Sequence, residues 1–142
     1  MISNFRVIGA GVWGLAFSDY LLKLGHHVEV FCRDTNLSNK DITGLELCHL
    51  SDNNIEPLEN LNAQKSNGEI NIIAVNSKGF SDLLNKHESY FSTLNELVSL
   101  TKGLDHVSGK YFSDYVFEMF SNIKKYGLIS GPSFAKDLCH EK

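Results

Sequence analysis

Residues 9 to 14 read GAGVWG, and no other stretch limits the fold of this chain so tightly. The short segment FRVI at 5–8 leads into it, a buried-strand signal that ends at Gly9. Beyond it, Trp13, Ala16, Phe17, Tyr20, Leu21 and Leu24 recur at helical spacing and predict a helix over 12–24 with those residues inward. Asp19 and Lys23 stand four apart on the other face, and Gly25 supplies the C-terminal stop. Residues 27–33 then alternate, with Val28, Val30 and Cys32 on one side, which is a strand pattern. Strand, glycine turn, helix and strand make one βαβ unit, whose crossover is expected to be right-handed.

The rest of the chain repeats that alternation. Residues 34–43 are polar and read as a loop, and 45–50 read as a strand. Ser51 and Asp52 look like a helix start, with Pro57 tolerable only in the first turn. INIIAV at 70–75 is apolar on both faces but for Asn71, as a parallel strand covered by helices should be. A helix follows over 78–86, then a strand at 97–101. A helix over 111–123 turns Phe112, Tyr115, Val116, Met119 and Phe120 inward, and 127–130 is a last strand. The expectation is an α/β fold with a doubly wound parallel sheet of the Rossmann type, residues 1–142 forming one domain.

Composition agrees and narrows the functions. With 142 residues, 42% of them apolar and 21% charged, the chain has ordinary globular material for one core. A net charge of -4, with Lys124 and Lys125 the sole adjacent basic pair, argues against a nucleic-acid partner. No apolar run approaches the ~20 residues of a membrane span, and the N-terminus enters a strand directly instead of a signal peptide. Cys32, Cys48 and Cys139 are odd in number and lack CxxC spacing, and His26 and His27 do not share a helix face. Neither a disulfide framework nor a metal site is expected, and the thiols are read as reduced and cytosolic.

The glycine turn then states a chemistry. Gly9 permits the tight turn, Gly11 leaves room for an anionic diphosphate, and Gly14 lets helix and strand pack closely. The helix opening at Val12 points free N–H groups at such an anion, so a dinucleotide is the ligand this pattern suits. At the end of the second strand, an acid would accept from a ribose 2′-hydroxyl and an Arg would pair with a 2′-phosphate. Arg33 stands there with Asp34 just beyond, which favours NADPH; an Arg lying over the adenine face would tolerate NADP and NAD alike. Lys102 follows the strand at 97–101, on the edge where such sheets bind ligands. Its ammonium can donate to a ketone oxygen on which negative charge develops. Lastly, SGPSFA at 130–135 turns the chain at Gly131 and Pro132, and Ser133 reads as the N-cap of a helix facing the same cleft.

Four segments, GAGVWGLAF at 9–17, IIAVNSKGF at 72–80, SLTKGL at 99–104 and ISGPSFAKDL at 129–138, resemble the bacterial NAD(P)-dependent glycerol-3-phosphate dehydrogenases. Together with HVEVFCR at 27–33 they are spread along the chain from residue 9 to residue 138. The resemblance implies reduction of dihydroxyacetone phosphate to sn-glycerol 3-phosphate, a phospholipid precursor, with NADPH or NADH in the cytoplasm. It implies that Val12, Trp13 and Arg33 contact the dinucleotide beside Gly9, Gly11 and Gly14, and that Lys102 lies between cofactor and substrate. By the same resemblance Gly131 and Ser133 touch substrate, and Ala135 lies near the cofactor.

The resemblance is to the cofactor-binding half of such an enzyme. The family's helical second domain, with another lysine and the groups that hold the substrate phosphate, is expected to be absent from residues 1–142. Alone they should turn over slowly, because positioning is worth ~7–11 kcal/mol of barrier. Val12 stands where the family has Ser or Thr, which leaves only its backbone N–H for contact. Asn76 stands where the family has Pro and is expected to loosen the turn after its strand. Only residues 34–43 separate the second strand from Gly44, so no site residue is assigned between Asp34 and Asn71. Two alternatives stand beside this reading: a 6-phosphogluconate- or ketopantoate-type dehydrogenase, and a non-catalytic dinucleotide-binding module. TKGL followed by SGPSFA argues against the first, and Lys102 against the second. A lone cofactor half exposes the apolar face its partner would cover, which predicts homo-oligomers through the helix at 111–123.

Overall fold

Six strands form one sheet in the computed structural model, which describes residues 1–33, 46–49 and 69–131, the 46–49 stretch as backbone only. The strands are β1 (Asn4–Ile8), β2 (His27–Cys32), β3 (Glu46–His49), β4 (Glu69–Ile73), β5 (Glu96–Ser99) and β6 (Lys125–Leu128). Their order is β3-β2-β1-β4-β5-β6, and every neighbouring pair is parallel. The chain winds outward from β1 in one direction and from β4 in the other. A crevice therefore opens between them at the C-terminal strand ends.

Strand alternation divides the core in two. Val7, Val28, Val30 and Ile72 cluster with Leu21 of α1 (Val12–Lys23) on one face. Their chain neighbours Ile8, Phe31 and Ile73 face the other side. There they meet Phe80 and Leu84 of α2 (Phe80–Lys86), Tyr90 and Phe91 of α3 (Glu88–Phe91), and Phe112 and Val116 of α4 (Phe112–Met119). Helices on both faces of a parallel sheet make it doubly wound, as the alternation of elements implied.

Two details of the helices differ from the sequence reading. The buried face of α1 is Gly14, Ser18 and Leu21, with Ala16, whereas Leu24 is 56% exposed at the C-cap and Tyr20 is half-buried. Small residues bring the helix against the sheet, and Ser18 Oγ donates to the Gly14 carbonyl at 2.7 Å and so brings no unsatisfied hydroxyl into the core. The second is α3, four residues long and too short to show a period. Strand and helix ends shift by one to four residues: β6 starts at Lys125, for example, and α4 stops at Met119. Of the residues expected inward on α4, Phe112, Val116 and Phe120 are buried, and Tyr115 and Met119 are half-buried.

A buried ionic cluster ties β1 to both neighbours. The Arg6 guanidinium pairs with Glu29 of β2 at 3.2 Å and with Glu69 of β4 at 3.1 Å, and donates to the Tyr90 hydroxyl at 3.3 Å. Tyr90 in turn donates to Asn71. Burial works against the Arg6 charge, but the Tyr90 hydroxyl and the two carboxylates outweigh it and raise its pKa. The loop at 34–43, the helix start at Ser51 and Asp52, and Pro57, Ser133, Ala135 and Cys139 lie outside the described residues.

Candidate functional site

The turn from β1 into α1 fixes two of its glycines by contact. Gly9 has φ +119°, and a Cβ there would stand 2.5 Å from the carbonyl oxygen of Ala74. A Cβ on Gly14 would stand 2.0 Å from the Gly9 carbonyl oxygen. Gly11 differs from both. Its backbone is extended (φ −73°, ψ 178°), and a Cβ there would meet nothing within 4 Å. Neither the chain's conformation nor its packing requires glycine at 11.

Gly11 is the N-cap of α1. The first helical bond runs from Leu15 N–H to its carbonyl at 3.0 Å, no side chain caps the helix, and its first turn carries no acid. The N–H groups of Val12, Trp13 and Gly14 therefore precede the hydrogen-bond ladder at the positive end of the helix dipole. Val12 is 78% exposed, so its backbone N–H is what it offers a ligand.

Beside this turn lies a cavity of about 330 Å³, lined by Trp13, Ala74, Val75, Asn76, Ser77, Leu100, Thr101, Lys102, Ile129, Ser130 and Gly131. Its walls are the chain segments that leave β4, β5 and β6, bound to one another past the strand ends. Leu100 N–H donates to the Ile73 carbonyl at 2.8 Å, and Ile129 N–H to the Ser99 carbonyl at 2.9 Å. Thr101 Oγ1 donates to the Val75 carbonyl at 2.7 Å. Lys102 Nζ crosses the cavity rim to the Gly131 carbonyl at 3.0 Å. Among the described lining residues it is the one charged side chain.

Asn76 and Asp105 show how the loops are held. Asn76 Oδ1 accepts from Gly79 N–H at 2.8 Å and caps the 3-10 turn Ser77–Gly79. Asparagine thus closes this turn, contrary to the loosening expected where the family has Pro. After Lys102 the chain bends at Gly103 (φ +112°) and Gly109 (φ +69°), with Leu104 and Tyr111 bridged antiparallel. Buried Asp105 accepts from the Ser108 amide and hydroxyl, each at 2.7 Å. The Ser108 amide foremost, then the Ser81 hydroxyl, hold its carboxyl down at about 2. That clamp anchors the loop following Lys102. Sequence reading passed it over, since only the D-x-x-S spacing hinted at a side-chain-closed turn.

The structure thus gathers Gly9, Gly11, Val12, Trp13 and Gly14 at one turn, and Trp13, Lys102 and Gly131 around one cavity. Arg33 is exposed directly after β2 and lies outside the cavity lining. Asn76, Ser77, Thr101 and Ser130 are the polar residues of the described lining that the sequence pattern does not assign to the site. An open N-terminal helix end, room above Gly11 and a neighbouring cavity with one cation fit a dinucleotide that carries its diphosphate at the turn. No described helix is long and apolar enough to cross a membrane.

Comparison with known proteins gives the same picture. A glycerol-3-phosphate dehydrogenase [NAD(P)+] of Brachyspira hyodysenteriae is 32% identical over 146 residues, covering 94% of this chain and 41% of that protein. One from Thioalkalivibrio sulfidiphilus is 31% identical over 137 residues, covering 93% and 41%. The chain thus spans about two-fifths of the length of these relatives. Among solved structures, glycerol-3-phosphate dehydrogenase from Coxiella burnetii superposes with a TM-score of 0.68 at 20% identity, covering 96% of this chain and 43% of that one. An imine reductase variant from Myxococcus stipitatus, in complex with NAD+, gives 0.58 at 20% identity, covering 92% and 42%. At that identity the two structures speak for the fold alone. A family model described as "NAD-dependent glycerol-3-phosphate dehydrogenase N-terminus" matches residues 4–142, and the chain belongs to that family.

Proposed function

We propose that residues 1–142 are the cofactor-binding half of an enzyme that reduces dihydroxyacetone phosphate to sn-glycerol 3-phosphate with NADP or NAD as cofactor. The observation that carries this reading is Gly11: the fold has no use for glycine there, whereas an anion approaching the Val12, Trp13 and Gly14 amides does. That the relatives are glycerol-3-phosphate dehydrogenases supports the choice of substrate and cofactor. By the same reading the product feeds glycerophospholipid synthesis in the cytoplasm.

The bound nicotinamide would supply the hydride, and the residues of this chain would hold the cofactor and meet the reacting oxygen. The amides at the start of α1 would hold the diphosphate, and Arg33, directly after the second strand, would meet the adenosine ribose. Lys102 exchanges the Gly131 carbonyl for the substrate ketone oxygen and stabilises the charge that develops on it. Trp13 covers one side of the cavity. Gly131 and Ser133 are assigned to substrate, and Ala135 to the cofactor. With one cation on the described cavity wall, the substrate phosphate needs a further anchor, so residues 1–142 alone turn over slowly. Tyr111, 66% exposed, and Phe117, 45% exposed, are the apolar residues through which the chain self-associates, a point light scattering decides.

Gly11→Ala tests the reading. The new methyl meets open space, so stability stays within about 1 kcal/mol of wild type in urea titration. Calorimetric affinity for NADPH and NADH falls about tenfold or more. Wild-type protein that takes up neither nucleotide at millimolar concentration, or a variant that binds as well as wild type, overturns it.

A further inference from the structure

We infer that Asn76 positions the nicotinamide half of the dinucleotide, its side-chain amide donating from Nδ2 to a ribose hydroxyl oxygen. This rests on the cofactor reading above and deepens it. Asn76 follows β4, which the sheet order places between β1, bearing the glycine turn, and β5, bearing Lys102. A ligand with its diphosphate at the glycine turn and its reacting end at Lys102 must pass the end of β4, and Asn76 lines the cavity there. The bond from Gly79 N–H to Oδ1 at 2.8 Å fixes which end of the amide is oxygen. Nδ2 is left as a donor, and none of the described residues accepts from it.

Two neighbouring polar side chains are already engaged: the Thr101 hydroxyl donates to the Val75 carbonyl, and Lys102 donates to the Gly131 carbonyl. Ala74, Val75 and Leu100 contribute apolar wall. A neutral amide donor in such surroundings suits a neutral hydroxyl oxygen, the diphosphate having the helix end for itself. Cap and ligand contact use opposite ends of one amide. The turn therefore orients the donor before any ligand arrives.

The test separates those two ends. Asn76→Ser keeps a capping oxygen but lacks the amide, and Asn76→Asp, an equally good cap, serves if the first variant folds poorly. Wild type and variant are titrated calorimetrically with NADH and with ADP, which has no nicotinamide ribose, and their thermal midpoints are compared. The expected result is NADH affinity reduced about three- to tenfold, ADP affinity unchanged and the midpoint unchanged. NADH binding equal to wild type, or an equal loss for NADH and ADP, overturns the inference alone. Wild-type protein that does not bind NADH overturns the cofactor reading and this inference with it.

Discussion

At positions 9 and 14 of the β1–α1 turn the backbone itself dictates glycine, whereas across the cavity Lys102 and Gly131 meet through one side-chain hydrogen bond. The first wall is built from atoms that cannot move without breaking the sheet: the Gly9 carbonyl fills the space beside Gly14, and the Ala74 carbonyl that beside Gly9. The second is an exposed ammonium resting on a carbonyl, free to change partner at the cost of one exposed hydrogen bond. A preformed anion cradle beside an exchangeable cation is the division of labour a dehydrogenase needs, with the cofactor held and the reacting oxygen met on arrival.

Gly14→Ala breaks the comparison most severely. Its methyl would sit 2.0 Å from a backbone oxygen, so urea denaturation should show a loss of about 3 kcal/mol or more, or no folded protein at all. Lys102→Met should leave the thermal midpoint unchanged. With the C-terminal region of a relative joined to the chain, dihydroxyacetone phosphate-dependent NADPH oxidation should fall about a hundred- to a thousandfold. If stability moves and turnover does not, Lys102 belongs to the rigid class.

Asp105→Asn probes the clamp behind Lys102 and should cost about 2 kcal/mol at neutral pH. The folded carboxyl sits at about 2, below its ordinary 3.8, so its contribution is complete above about pH 4 and is lost as pH falls through 2. The stability gap between wild type and variant should close over that window, measured by urea titration at stepped pH. Smallest is Arg33→Ala, expected to weaken NADPH about tenfold by calorimetry while leaving NADH unchanged. Equal affinities for NADPH before and after would remove Arg33 from the site.

The rigid wall was also the legible one. GAGVWG after FRVI carries strand, turn and helix in adjacent residues, and the parallel, doubly wound sheet followed from the alternation of elements, whereas the order of its strands did not. What sequence could not show depends on distance or on small side chains. Gly14 and Ser18 do not register as an apolar stripe, so the inward face of α1 was drawn through Tyr20 and Leu24. The four residues of α3 carry too little pattern to stand out. Lys102 and Gly131 are 29 positions apart, and their bond exists only because β5 and β6 lie side by side. Asn76 looked like a poor substitute for proline, since sequence does not reveal that an amide oxygen reaches back to Gly79.

The Arg6 cluster has a consequence for how such a chain can diverge. It rivets β1 between β2 and β4 through Glu29, Glu69, Tyr90 and Asn71, all on strands or helices rather than on the loops around the cavity. Strand alignment is therefore guarded from below. Residues beyond the strand ends, such as Asn76 and Arg33, are left open to replacement, so that on the cofactor reading proposed above one scaffold can trade one nucleotide preference for another without relearning how to fold.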